Sequence, residues 1–168
     1  VQAEAIARIA REVLARQGQK APPVDIDYVA AGEGLVFVPA DIERISGGYF
    51  CDLDGHGHAI ISSREHPLRQ RFTKAHELGH HILDEAVRPA SLVQASAYRK
   101  ANSPRHWAQD YFAGSLLLPR RWVADLIRDT QGWGTPDELI REVAKRFEVS
   151  RPAAEVRLRE LHHIPSTR

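Results

Sequence analysis

His76-Glu77-Leu78-Gly79-His80 is an H-E-x-x-H run inside a stretch whose apolar residues repeat at helical spacing. Four residues advance an α-helix by slightly more than one turn, so His76 and His80 project from one face, about 40° apart. Two imidazoles placed this way can hold one zinc ion at roughly 2.0–2.1 Å. Glu77 flanks the site. Its carboxylate can take a proton from water activated by the ion and return it to a leaving amine. Zinc acidifies bound water and polarises a carbonyl, so the spacing matches peptide-bond hydrolysis. Two histidines leave the coordination incomplete, because catalytic zinc usually takes a third protein ligand and keeps a fourth position for water. Ser103-Pro104 reads as the N-cap and first residue of a helix running to about Leu118. That helix would present His106, Asp110, Ala113 and Leu117 on one face. Either His106 or Asp110 could complete the coordination, with the other supporting a ligating imidazole from outside.

The elements that must position these groups are legible in part. Residues 3–16 read as an amphipathic helix with Ile6, Ile9, Ala10, Val13 and Leu14 on one face and Gly18 as a stop. Arg8, Arg11 and Arg16 would suit a transit peptide, but Glu4 and Glu12 argue for a docked surface helix. Pro22-Pro23 breaks the chain, Asp25 or Asp27 caps a short helix around 28–31, and 35–38 is a strand. Residues 48–53 and 58–62 form a hairpin around Asp54-Gly55-His56-Gly57. Pro67 opens the long helix, which runs to about Leu83 with Leu68, Phe72, Ala75, Gly79 and Ile82 as its buried stripe. Gly79 costs about 1 kcal/mol of helix propensity, which points to a close approach there. Residues 85–102 lack firm periodicity. Further helices are expected at 120–129, 135–147 and 151–161. With no repeat or linker, residues 1–168 are read as one α+β domain.

Composition narrows the function classes. The chain has 168 residues, with 23 Lys+Arg against 22 Asp+Glu, a net charge of +1, which gives no whole-chain case for nucleic acid or an anionic membrane. The single cysteine, Cys51, excludes an internal disulfide framework and fits a reducing, cytoplasmic compartment. No apolar stretch is long enough to span a bilayer. The absence of Met implies that Val1 is not a normal start and that the chain is trimmed or cut from a longer one.

The sequence resembles the ImmA/IrrE metallopeptidases. The matching blocks are R-Q-R-F-T-K-A-H-E-L-G-H-H-I-L from Arg69 to Leu83, and D-Y-F-A-G-S-L-L-L-P from Asp110 to Pro119, similar to the family's D/N-x-F-A-x-x-L-L-x-P. Phe147, Val149 and Ser150, then Arg157, Leu158 and Leu161, look like its closing pattern. The resemblance implies a zincin-like fold, a small sheet packed on the helix that carries the zinc ligands. It also implies a cytoplasmic peptidase, several relatives of which cut a helix-turn-helix repressor in stress or mobile-element responses. Carried over, His76 and His80 are zinc ligands, Glu77 is the catalytic base and Asp110 supports a ligand from outside. The family's third ligand is usually a Glu six positions before the Phe-Ala pair; here that position is His106. Histidine substitutes directly as a ligand, and losing one negative charge leaves the zinc more electrophilic.

Other residues are weighed beside these. Tyr98, in the loop before His106, could donate a hydrogen bond to an oxyanion. The strand Ala59, Ile60, Ile61 and Ser62 is the candidate for substrate addition, because zincin-like proteins bind extended peptide along an edge strand. His56, His58 and His66 read as turn or loop surface, His81 as surface or support, and His162 and His163 as helix-end cations. Two competing readings remain: a metal-binding regulator without turnover, and a DNA reader built from 138–147 and 151–161. The segment 135–168 carries seven Lys/Arg and six Asp/Glu, so direct nucleic-acid binding is not expected. The expected partner is a protein substrate, with no membrane association.

Overall fold

A computed structural model describes residues 2–52, 54, 56–83, 106–129 and 134–165. The first helix, α1 (Gln2–Arg16), buries Ile6, Ala10, Val13 and Leu14, four of the five residues of the apolar face read from the sequence. The short helix α2 (Ile26–Gly32) starts at Asp25, whose carboxylate accepts the Tyr28 amide at 3.0 Å. Asp25, not Asp27, is therefore the cap.

Three strands follow: β1 (Leu35–Ala40), β2 (Gly47–Cys51) and β3 (Gly57–Ser62), in the sheet order β1-β3-β2. The expected hairpin is present. β2 and β3 pair antiparallel from Gly47↔Ile61 to Cys51↔Gly57. β1 then pairs parallel to the other side of β3, from Leu35↔Gly57 to Ala40↔Ser62. This corrects the expectation that Ala59, Ile60, Ile61 and Ser62 form a strand edge open to substrate. Those residues lie in the central strand: Ala59, Ile60 and Ile61 have ladder partners on both sides, and Ser62 pairs with Ala40 and donates its amide to the Ser46 carbonyl, so they do not form an open edge. Among the described residues the outer strands are β1 and β2. Pro39 fits this placement, since a residue without an N–H is tolerated in an edge strand.

The long helix α3 (Pro67–Leu83) has both ends where the sequence puts them. Its burial does not follow a single stripe. Ala75, His76, Glu77, Leu78, Gly79 and His80 are all buried in succession, while Leu68, Phe72 and Ile82 are only partly covered. The reason is that α3 is packed on two sides, by the sheet and by the helix α4 (Trp107–Leu117). A Cβ on Gly79 would stand 3.2 Å from both Gln109 Cα and Phe112 Cδ1, so the close approach inferred from Gly79 is made by α4.

The remaining helices close the core. α1 packs on α4, and Phe112, Leu116, Leu117 and Leu118 are fully buried. Beyond them lie α5 (Arg120–Asp129), α6 (Pro136–Phe147) and α7 (Arg151–Glu160). Thr135 and Glu138 form a reciprocal capping box at the start of α6, and Ser150 caps α7. The arrangement is α+β, a small sheet packed on the helix that carries His76 and His80, as the resemblance implies. Among the described residues no helix is long and apolar enough to cross a membrane.

Candidate metal centre

His76 and His80 lie on α3 with ring centroids 5.0 Å apart and are both buried. His106 reaches them from α4, its ring 5.5 Å from that of His76 and 5.3 Å from that of His80. His106 and Asp110 face α3 together, as the shared helix face read from the sequence requires. His106 is the N-cap residue of α4, with φ −118° and no side-chain capping bond. Its carbonyl accepts the Asp110 amide at 2.9 Å, the first bond of the helix. The start signal at Ser103-Pro104 lies outside the described residues, as does Tyr98.

One nitrogen from each of the three rings lies within 4.8 Å of the others. His106 Nδ1 and His80 Nε2 are 3.3 Å apart. Two nitrogens each bound at roughly 2.0–2.1 Å to one tetrahedral ion would be about 3.3–3.4 Å apart, so this pair has the spacing that zinc requires. The donor set is three imidazoles, which suit zinc.

Asp110, one turn into α4, accepts a hydrogen bond from His76 Nδ1 at 2.7 Å. The carboxylate therefore holds the proton on Nδ1 and leaves the lone pair of His76 on Nε2. Of the two residues that could have completed the set, His106 joins the ring cluster and Asp110 stands behind it. Glu77 is fully buried beside the cluster.

Sequence reasoning missed the support beneath His80. The Tyr49 ring of β2 lies nearly parallel to that of His80, centroids 6.4 Å apart. His81 Nε2 donates to the Glu33 carbonyl at 2.8 Å, so its Nδ1 accepts from Tyr49 Oη at 3.0 Å. Cys51 Sγ is 3.0 Å from the same oxygen. His81 thus ties the C-terminal end of α2 to β2 and faces away from the cluster, in keeping with the supporting role allowed for it.

A second group, Asp52, Asp54 and His56, gathers on the hairpin turn and is more exposed. Asp52 is accounted for by the turn. It accepts the amides of Asp54 and His56, and the His56 and His58 rings at 3.2 and 3.0 Å. The His58 ring hydrogen bond, followed by the His56 amide, draws its carboxyl down to about 2. The arginines of α7 are also occupied within the chain. Arg157 is buried against the Leu118 carbonyl and Glu160, Arg159 pairs with Glu155, and Arg151 with Asp137. A duplex-reading helix would instead turn such cations outward.

Comparison with known proteins identifies relatives by sequence and by fold. The family model described as the IrrE N-terminal-like domain, a peptidase family, matches residues 31–159. The radiation response metalloprotease IrrE of Deinococcus radiodurans is 30% identical over 176 aligned residues, covering 85% of this chain and 52% of that protein. A solved Mycobacterium tuberculosis transcriptional regulator superposes with a TM-score of 0.61 at 18% identity, over 90% of this chain and 45% of that one, a likeness of fold. The chain spans about half the length of these relatives.

Proposed function

The chain belongs to the ImmA/IrrE peptidase family, and on that premise we propose that it is a zinc-dependent endopeptidase acting on a protein substrate. The observation that carries this reading is the convergence of His76, His80 and His106, with nitrogens within 4.8 Å, beside a fully buried Glu77. In the proposed site His76, His80 and His106 hold the ion, which when bound supplies an acidified water and polarisation of the scissile carbonyl. Asp110 orients the His76 ring and keeps its proton on Nδ1. Glu77 accepts a proton from the attacking water and delivers it to the leaving amine. With His106 where relatives usually have Glu, the ligand set carries one negative charge fewer, which strengthens the pull on the carbonyl.

The substrate class follows the resemblance: a helix-turn-helix repressor in a stress or mobile-element response, cut in the cytoplasm by the domain that residues 1–168 form. The name of the Deinococcus relative, a radiation response metalloprotease, accords with this. Elemental analysis of protein purified without added metal tests the site. About one equivalent of zinc is expected, and less than a tenth, with none taken up on addition, would sink it. Glu77→Gln should keep the zinc and abolish cleavage of a co-expressed candidate repressor. Retained cleavage removes Glu77 from its role, and a regulator without turnover would lose nothing in that variant.

A further inference from the structure

We propose that Gly47 is a positioning residue for Glu77, forming with Thr73 a slot that fixes the carboxylate against the sheet. Gly47 is the first residue of β2. The positive-φ glycines among the described residues are Gly18 and Gly34, so Gly47 does not serve a special backbone angle. Space is the reason for it. A Cβ there would lie 2.6 Å from Thr73 Cγ2, 2.9 Å from the Ile60 carbonyl oxygen and 3.1 Å from Glu77 Oε1. None of these walls gives easily. Ile60 is held in the central strand by β1 and β2. Thr73 is β-branched, fully buried and one turn before Glu77 on α3. The third wall is the carboxylate itself. A glycine inside a strand weakens it unless a backbone or ligand must come close. Here the backbone of β2 comes close to Thr73 and to the Glu77 carboxylate, so a side chain at 47 crowds both and displaces the carboxylate with the Thr73 methyl. The catalytic consequence rests on Glu77 being the proposed base; the packing consequence does not.

The test is a pair of measurements on Gly47→Ala. In the metal-free protein the substitution should lower the melting temperature by roughly 3–10 °C, as overpacking does. In a Glu77→Ala background the drop should be smaller, because one of the three walls is gone while Thr73 and the Ile60 carbonyl remain. Equal drops in the two backgrounds would overturn the inference. In the zinc-loaded protein, kcat should fall about 100-fold with KM and zinc content kept, as for a displaced catalytic group. Thr73→Ser added to Gly47→Ala, which removes Cγ2 and keeps the hydroxyl, should recover part of that loss. Unchanged kcat, or loss of kcat only in step with loss of zinc, also overturns it. Should the wild-type protein bind no zinc and cleave nothing, the peptidase reading fails, and the melting comparison still decides the role of Gly47.

Discussion

Gly79→Ala sets two effects of similar size against each other at the point where α4 meets α3. Alanine in a helix interior is favoured over glycine by about 1 kcal/mol. The new Cβ would stand 3.2 Å from Gln109 Cα and Phe112 Cδ1, against an optimal carbon separation of about 3.5–4.0 Å. One of those atoms belongs to backbone, so α4 must retreat by a few tenths of an ångström. Overpacking of this kind costs about 1–3 kcal/mol. The net expectation is a loss of roughly 0–2 kcal/mol, or up to about 8 °C in melting temperature. The larger consequence falls on the metal centre, since His106 and Asp110 both move with α4. Metal-ligand distances tolerate only about 0.2 Å, so zinc affinity should fall by about tenfold or more. Chelator competition at fixed pH, with urea unfolding of the metal-free and zinc-loaded forms, reads both effects. The zinc-loaded form should lose more stability than the metal-free form, because weaker binding contributes less to the folded state. A variant that gains the full helix-propensity increment and binds zinc like the wild type would refute the reasoning, because Gly79 would then not set the spacing of α3 and α4.

His106→Glu should retain zinc within about tenfold of wild type, whereas His106→Ala should lose on the order of 100-fold; equal retention in both, by competition titration, would remove His106 from the ligand set. Asp110→Ala should lower zinc affinity by about 10–100-fold, the usual effect of removing the partner of a ligating imidazole, and an unchanged affinity would show that the 2.7 Å bond to His76 does no positioning. Asp52 has a folded pKa of about 2 against 3.8 for the free group. Its contribution is therefore fully present above about pH 4 and is lost as the pH falls towards 2. Asp52→Asn should lower the melting temperature at pH 5 and converge on the wild type as the pH is taken from 4 to 2. A difference that stays constant over that window would exclude the carboxylate as its source.

The parts of this fold that were legible from sequence are those governed by local rules. Pro67 and the periodicity behind it fix α3 at both ends, and the Asp54–Gly57 turn fixes the hairpin. Ser150 and Pro152 fix the start of α7 in the same way. Strand order was not legible, because the parallel pairing of β1 with β3 joins segments that β2 separates along the chain, and no local pattern records it. This is why Ala59–Ser62 read as an edge. The burial of α3 misled for a related reason. A helix with one covered face shows a stripe, but a helix covered on two sides cannot, and three of its six consecutive buried residues are polar. His106 was identified as a ligand candidate by its place in a motif and by the helical spacing to Asp110, and its position at the cap of α4 keeps it on the side that faces α3.

What the sequence did carry, beyond motifs, is glycine where the backbone crowds α3. Gly79 admits α4 at Gln109 and Phe112, Gly47 admits β2 at Thr73 and Glu77, and Gly57 admits β3 at His81, where a Cβ would lie 2.6 Å from the ring nitrogen. Each costs intrinsic propensity in its helix or strand, and each lies against a different part of the helix that carries His76, Glu77 and His80. Propensity alone would replace all three. That they stand here, in elements otherwise built by ordinary local preferences, means that the separation between α3 and its neighbours is what the chain holds fixed. The proposed metal centre, drawn from α3 and the cap of α4 with Glu77 packed against β2, would need that separation to within a few tenths of an ångström. Local propensity and site geometry therefore pull in opposite directions at positions 47, 57 and 79, and the geometry prevails at each. A glycine that lies within a helix or strand and not at positive φ is then a sequence-level pointer to the neighbourhood of such a site, even where the contacts that explain it are distant in the chain.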